Sequence, residues 1–332
     1  MKAAYYANYG PADVLEIRDV TRPEISDDEI LIKVFSSAVT TADWRIRASA
    51  FPSFAWVPGR LMFGLLAPRN KVLGTDFAGR IVAKGKNVTG FKGGDRVFGF
   101  AGQGSNAEYV KIAANGPVAQ IPSNLSYNDA AAVPFGALSA LVFLRDFAKV
   151  QPGQSVLING ASGGVGVFAV QLAKYFGAHV TGVASTGNLG LVSALGADEV
   201  IDYTTTDFTA QSDKYDLVFD TVGKTTFNSV RSVLSPTGIY LPIEFGLREI
   251  FQSLMTSRSK KQRVMVGVSD DKQNDIELIS HLLEQGKIRP VIDALYSLDD
   301  IADAHRRVES RHKTGSTIVV VSSDDESKIA AA

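Results

Sequence analysis

Four glycines, at 160, 163, 164 and 166, carry the clearest chemical signal in the chain, within Val156-Leu157-Ile158-Asn159-Gly160-Ala161-Ser162-Gly163-Gly164-Val165-Gly166. An apolar run enters this turn, and a segment of small and apolar residues with helical spacing leaves it. A turn without Cβ atoms lets backbone N–H groups approach a diphosphate, and the unpaired donors and dipole of the following helix hold its charge. Gly160, Ser162, Gly163, Gly164 and Val165 are therefore candidate dinucleotide contacts. Glycines in such a place could also serve only close helix–strand packing. Their position at the first strand-to-helix turn of an alternating segment is the context that phosphate binding requires.

The end of the following strand bears on which dinucleotide fits. A carboxylate there would grip a ribose 2′-hydroxyl and repel a 2′-phosphate. The sequence instead reads Ala184-Ser185-Thr186-Gly187-Asn188, with hydroxyl and amide donors and no acidic residue. Ser185 and Thr186 point to NADPH as the cofactor, although an ordinary polar loop would look similar and the segment has no Arg or Lys.

Candidates for acid–base or polar catalysis are few. Thr40-Thr41-Ala42-Asp43-Trp44-Arg45 is the best polar cluster, in which Thr40 could polarise an acceptor oxygen. Asp43 could orient a hydroxyl or relay a proton, or it could simply cap a helix. With no cysteine in the chain, disulfides, thiolate nucleophiles, Cys-based zinc sites and iron–sulfur clusters are excluded. The four histidines are His179, His281, His305 and His312. His305 and His312, seven apart, could share a helical face, but a pair with no third ligand reads as surface residues, and no metal is expected. The Gly-Ala-Ser-Gly-Gly turn lacks the spacing of a nucleophile elbow.

The elements that must position these groups fall into three stretches. The first third reads as short strands, including Ile30–Phe35, Ala78–Ala83 and Arg96–Phe100, with closely spaced turns suited to a small barrel. After Ile121-Pro122-Ser123-Asn124, strands and helices alternate. Six strands are expected at Ser155–Asn159, His179–Ala184, Glu199–Asp202, Tyr215–Asp220, Gly238–Pro242 and Arg263–Val268, with helices at about Val165–Phe176 and Leu189–Leu195. This is the pattern of an α/β, doubly wound parallel sheet. In the last sixty residues, Ser297-Leu298-Asp299-Asp300 looks like the start of a helix through Val308, and Ser316–Val321 is a strand that could rejoin the first third. The acidic-then-alanine tail from Asp324 is expected to fray. The apolar stretch Phe51–Pro68, broken by Pro and Gly, has neither helical nor alternating period, and is either a packed insertion or an apolar wall over a substrate.

The length of 332 residues implies two domains. A net charge of −1 gives no field to hold a polyanion, so nucleic acid is not an expected partner. No apolar run is long enough to span a bilayer, and the N-terminus does not read as a signal peptide, which leaves no membrane partner and the cytoplasm as the expected compartment. An apolar edge strand at Val264–Val268 would be a liability in a monomer, and pairing two such edges about a two-fold axis implies a homodimer.

The whole chain resembles the medium-chain dehydrogenase/reductase superfamily, in its zinc-free quinone oxidoreductase-like branch. The matching segments are Leu73-Gly74-Thr75-Asp76-Phe77-Ala78-Gly79, Phe91–Val97, Ala107-Glu108-Tyr109-Val110, Gly160–Lys174, Leu195-Gly196-Ala197-Asp198 with Ile201-Asp202-Tyr203, and Phe219-Asp220-Thr221-Val222-Gly223. The resemblance implies a GroES-like β-barrel catalytic domain formed by residues 1–122 plus 273–332, an inserted Rossmann domain at 123–272, and an active site in the cleft between them. It also implies cofactor contacts at Ser139 and Gly163-Gly164-Val165 near the nicotinamide and diphosphate. Ser185, Thr186 and Tyr203 would lie near the adenosine phosphate, with Thr221, Val222, Leu241 and Ile243 along the groove. Gly187-Asn188 stands where relatives often have Arg or Lys, and Thr40 where many quinone reductases have Asn. Zinc-dependent relatives place ligands where this chain has Thr40 and Thr75-Asp76. The activity implied is metal-free, NADPH-dependent hydride transfer to a small electrophilic acceptor, a quinone or activated C=C. The alternative is a nucleotide-binding interaction or structural protein with the same fold and little turnover.

Overall fold

A computed structural model describes residues 1–322, so the acidic-then-alanine tail expected to fray lies outside the described residues. Fifteen strands are described. They are β1 (Lys2–Tyr6), β2 (Leu15–Asp19), β3 (Glu29–Val39), β4 (Asp76–Lys84), β5 (Arg96–Phe100), β6 (Tyr109–Ala113), β7 (Val118–Gln120), β8 (Ser155–Asn159), β9 (His179–Ala184), β10 (Glu199–Asp202), β11 (Tyr215–Asp220), β12 (Leu234–Pro242), β13 (Arg263–Val264), β14 (Ile292–Ser297) and β15 (Ser316–Val320). The helices are α1 (Thr41–Ala48), α2 (Ser53–Phe63), α3 (Tyr127–Ala131), α4 (Pro134–Val142), α5 (Gly166–Tyr175), α6 (Leu189–Ala194), α7 (Phe227–Val230), α8 (Leu247–Thr256), α9 (Gln273–Glu284) and α10 (Ile301–Glu309).

β8 to β13 form one parallel sheet in the order β10-β9-β8-β11-β12-β13. Counted from β8, the order is 3-2-1-4-5-6, the doubly wound arrangement in which the winding reverses beside the first strand. The crevice then opens beyond the C-terminal ends of β8 and β11, where Asn159 and Asp220 pair in register. Val156, Ile158, Leu217 and Phe219 on one face of the sheet and Leu157, Val183 and Val218 on the other are all buried, because helices cover both sides. The inner residues of α5, including Val167, Phe168, Val170 and Leu172, are fully buried against it.

The second large sheet runs β14-β15-β3-β4-β5-β7, with β6 also on β3. The late strand β15 pairs antiparallel with the early strand β3, from Thr317 opposite Val39 to Val320 opposite Ser36. This closes the chain's ends around the parallel sheet. One buried apolar cluster joins Ala38, Phe98 and Ile318 of this sheet to Val156 and Phe219 of the other through Leu138 and Phe168, which holds the two sheets in one packing unit.

Two elements differ from the sequence reading. The strand expected over Arg263–Val268 stops at Val264, so the last strand is only two residues long, a half-buried Arg263 and a buried Val264, and not the exposed apolar edge expected. The Thr256 hydroxyl of α8 accepts the Val264 amide at 3.0 Å on the outer edge, and the Met265 amide still donates to the Tyr240 carbonyl of β12 at 3.0 Å. Residues 53–63, aperiodic in sequence, form the helix α2 with Pro58 inside it. Its hydrophobic residues point in several directions. Phe63 stacks on Phe51 at 5.6 Å and Phe54 on Phe245 at 6.0 Å, while Trp56, Leu61 and Met62 remain exposed, so no 3.6-residue stripe was there to find. The expected start of α10 is present, with the Ser297 hydroxyl accepting the Asp300 amide at 3.3 Å.

Candidate functional site

A cleft of about 490 Å³ opens at the crevice between the two sheets. Its floor is the glycine turn. Gly160 has φ +80°, and a Cβ on Gly166 would stand 2.0 Å from the Gly160 carbonyl oxygen, so the turn closes on the start of α5 only without side chains. The Gly160 and Ala161 amides donate to the Val183 carbonyl at 3.1 and 2.9 Å, and Gly163 donates to Gly160 at 3.0 Å. Among the described residues, the Gly164 and Val165 amides meet no acceptor and sit at the N-terminus of the ten-residue helix α5. Free amides at a positive helix end in a Cβ-free cradle fit the diphosphate of a nicotinamide dinucleotide.

The wall beside this floor is organised by Asp220, a fully buried carboxylate at the end of β11. Its Oδ1 accepts from Asn159 Nδ2 at 2.9 Å and from the Val222 and Gly223 amides at 3.0 Å each. Its Oδ2 accepts from the Thr225 amide and hydroxyl at 3.1 and 2.5 Å. With the Tyr240 hydroxyl at 3.4 Å these make six donors on one carboxylate, and the four from Val222, Gly223 and Thr225 fix the loop that carries Thr221 and Val222 into the cleft. Thr221 adds a hydroxyl bond to the Asn159 carbonyl at 2.8 Å. Asp220 was visible in sequence only as part of a matching segment, because its role depends on donors up to 61 residues away.

At the end of the cleft beside β9 and β10, Ser185, Asn188 and Tyr203 line it. Asn188 Nδ2 donates to the Ser185 and Ser162 hydroxyls at 3.2 and 3.3 Å. The premise that no carboxylate stands near this end needs correction. The Thr186 hydroxyl donates to Asp202 Oδ2 at 2.5 Å, and Thr204 donates from its hydroxyl and amide to Oδ1 at 2.7 and 2.9 Å. These bonds, Thr186's first, hold the Asp202 carboxyl below the usual carboxylate range. Asp202 comes from the neighbouring strand rather than from the segment read in sequence, which is why the spacing rule passed over it.

At the opposite end, Thr40 lines the cleft and caps α1. Asp43 is buried behind it and accepts from the Thr40 hydroxyl and amide at 2.7 and 2.8 Å, from Gly74 N at 3.1 Å and from the Thr75 hydroxyl at 3.2 Å. Asp43 thus both caps the helix and orients a hydroxyl. Burial pushes its carboxyl up to about 6 against the pull of these bonds. Asp76 also lines the cleft. It accepts the Phe135 amide at 2.9 Å, its other oxygen has no partner, and burial pushes its carboxyl well up.

Across the mouth, Glu244 bridges Arg45 of α1 at 2.7 Å and Arg311 beyond α10 at 3.1 Å, and both guanidinium groups lie within 5.9 Å of the Trp44 ring. These residues, distant in sequence, carried no motif.

Of the remaining sequence candidates, Gly160, Ser162, Gly163, Gly164, Val165, Ser185, Tyr203, Thr221 and Val222 line the cleft with Thr40. Asp43, Ser139, Thr186, Leu241 and Ile243 do not. Leu241 is buried in β12, Ser139 in α4, and the Ile243 amide donates to the Asp220 carbonyl at 3.0 Å. His312 lines the cleft as an exposed residue, but His305 is fully buried rather than on the surface. Among the described residues, no three His, Asp or Glu side chains come together as a metal set, and no helix is long and apolar enough to cross a membrane.

Residues 26–123 match the family model of the alcohol dehydrogenase GroES-like domain, and residues 195–319 match that of the zinc-binding dehydrogenases. The chain is 33% identical to a 2-methylene-furan-3-one reductase of Solanum lycopersicum, over 96% of this chain and 79% of that protein. It is 31% identical to a chloroplastic NADPH-dependent alkenal/one oxidoreductase of Arabidopsis thaliana, over the same shares. Among solved structures, the quinone oxidoreductase from Coxiella burnetii superposes with a TM-score of 0.84 at 30% identity, covering 97% of this chain and 99% of that one. The seven-stranded sheet, the 3-2-1-4-5-6 parallel sheet and the glycine turn in the cleft between them agree with these matches, and the chain belongs to the medium-chain dehydrogenase/reductase superfamily, in its quinone oxidoreductase-like branch.

Proposed function

We propose that the protein is an NADPH-dependent, metal-free reductase that delivers hydride to a quinone or to a C=C conjugated with a carbonyl. The observation that carries this reading is the diphosphate cradle facing Thr40 across one cleft. Bound NADPH would supply the hydride. Gly164 and Val165 would hold its diphosphate through their free amides, and Tyr203 would flank the adenosine. Ser185 and Asn188 favour a 2′-phosphate, and Asp202, spent on Thr186 and Thr204, weighs against it. The names of the tomato and Arabidopsis relatives support the acceptor class.

A metal-free mechanism suits that acceptor. Conjugation makes its carbon electrophilic and spreads the charge that hydride brings, so hydrogen-bond donors suffice, whereas a simple alcohol near neutral pH keeps its proton and is a poor hydride donor without a metal. Cysteine is absent from the chain, and the positions that hold metal ligands in zinc-dependent relatives are Thr40, Thr75 and Asp76. The expected result is acceptor-dependent NADPH oxidation with enones or quinones that survives exhaustive EDTA treatment, with tighter binding of NADPH than of NADH and little turnover of ethanol. Loss on chelation with recovery on adding zinc would overturn the mechanism. Dinucleotide binding without acceptor-dependent oxidation would instead support a binding protein that has lost turnover.

Thr40 would polarise the acceptor oxygen, with Asp43 as its positioning residue. While Asp43 is ionised, it takes the Thr40 hydrogen at 2.7 Å, and that hydroxyl has nothing to donate to the cleft. Once Asp43 is protonated, it becomes the donor, and the Thr40 hydroxyl turns its hydrogen outward. With the Asp43 carboxyl at about 6, kcat should rise as pH falls through that value. Thr40→Val should lower kcat by about a hundredfold and remove this limb, the loss typical of one well-placed donor. An unchanged pH–rate profile in Thr40→Val would refute the assignment.

A further inference from the structure

We propose that Lys313 supplies a positive charge to the cofactor's diphosphate, delivered from the loop after α10 onto the glycine turn. This deepens the reductase reading and rests on its dinucleotide site. The loop from Arg311 to Ser316 leads from α10 into β15 and crosses to the opposite sheet. The Gly315 amide donates to the Ser162 carbonyl at 2.8 Å, and the Thr314 hydroxyl donates to Asn188 Oδ1 at 3.2 Å. The two residues after Lys313 thus tie the loop to the glycine turn and to Asn188.

That ammonium lies directly over Gly164, whose Cβ, if it had one, would be 2.8 Å from Lys313 Nζ. Gly164 carries one of the free amides of the cradle, so cation and amides converge on the same small volume. Lys313 Nζ currently donates to the Gly315 carbonyl of its own loop, a neutral acceptor that an anionic oxygen would outcompete. Lys313 lines the cleft and is partly buried, and burial brings its amine down to about 8. The charged groups around it are Asp293 of β14, Arg307 of α10 and Asp76 of β4. Asp293 is bidentate to Arg307 at 2.7 and 2.8 Å, and burial pushes the Asp76 carboxyl well above the usual carboxylate range. The ammonium therefore lacks a dedicated carboxylate partner.

The sign of the pH dependence follows. Below about pH 8 the free protein carries the charge and binds the dianion fully. Above it, binding must first recruit a proton, so affinity falls by up to tenfold per pH unit. The test is a titration of wild-type protein, Lys313→Met and Lys313→Arg with NADPH, NADH, ADP-ribose and 2′-AMP between about pH 7 and 9.5, read by nicotinamide fluorescence or calorimetry. In Lys313→Met, NADPH, NADH and ADP-ribose should all weaken by a similar factor, about ten- to a hundredfold at neutral pH, while 2′-AMP, which has no diphosphate, is unchanged. In Lys313→Arg, binding should be largely retained and its alkaline decline abolished. Calorimetry of the wild type in buffers of different ionisation enthalpy should show proton uptake above about pH 8, absent from both variants.

Wild-type affinities and pH slope in Lys313→Met would overturn the proposal while leaving the reductase reading intact. A loss confined to NADPH and 2′-AMP would place the charge at the ribose instead and overturn it too. Failure of the wild-type protein to bind any dinucleotide would remove the reductase reading itself.

Discussion

Gly166→Ala is expected to lose dinucleotide binding at least tenfold and to lower stability by about 3 kcal/mol or more. The added methyl would stand 2.0 Å from the Gly160 carbonyl oxygen and 2.9 Å from backbone atoms of Ala161, none of which can rotate away. Relief requires the start of α5 to move off the turn, and that displaces the free Gly164 and Val165 amides together with the helix end that orients them. Gly190, within α6, is the matched control, because a Cβ there meets nothing within 4 Å. Gly190→Ala should bind as the wild type does and melt no lower, as expected for replacing a helical glycine. Thermal melting and fluorescence titration of both variants decide the matter, and wild-type affinity in Gly166→Ala would show that the cradle tolerates what its geometry forbids.

Acid should destabilise the wild-type protein through His305, and His305→Leu should remove that component. His305 is fully buried on α10, neither ring nitrogen has a partner among the described residues, and burial, aided by the neighbouring Arg47, drives the imidazole down from 6.5 to about 3. The unfolded chain takes up a proton below pH 6.5 that the fold refuses, so this group's stability is present above that value and is lost as pH falls toward 3. The loss amounts to about 2 kcal/mol between about pH 6.5 and 4.5. Asp43 works the other way, since its carboxyl is raised from 3.8 to about 6 and the fold gains stability as pH falls through 6. Overall acid sensitivity therefore mixes opposing contributions, and the difference between wild type and His305→Leu isolates one. Urea unfolding at the two pH values measures it, and equal pH dependence in both proteins would exclude His305 as the source. At neutral pH the variant should be at least as stable, because leucine leaves no unpaired polar atom in that place.

What could be read from the sequence was local. The cradle is contiguous, and its function lies in residues that lack side chains, so the spacing of Gly160, Gly163, Gly164 and Gly166 announced it. The strands of the parallel sheet were equally plain, since burial on both faces leaves unbroken apolar runs such as Leu217-Val218-Phe219. Groups that work through tertiary contact were not legible. Lys313 reaches Gly164 across about 150 positions, Glu244 meets Arg45 across about 200, and Asp202 meets Thr186 from an adjacent strand. Lys313 and Glu244 belong to no spaced motif, and Asp202 stood in sequence only within a segment matching the family. His305 looked like a surface histidine because its polar ring gives no sign of burial, whereas its place between Ile301 and Val308 on the apolar side of α10 decides it. In α2, Pro58 and apolar residues on several sides hid a helix that packing against Phe51 and Phe245 sustains.

The pairing of β15 with β3 also has a bearing on the order of assembly. Every strand of the parallel sheet lies within residues 155–264, so that sheet can collapse from contiguous chain as it leaves the ribosome. β3 emerges far earlier, yet one of its edges waits for Thr317–Val320 to arrive from about 280 positions away. Contacts of such separation close slowly and late. The loop bearing Arg311 and Lys313 is anchored by that same strand, so the expected order of assembly has the glycine turn formed before a lysine stands above it.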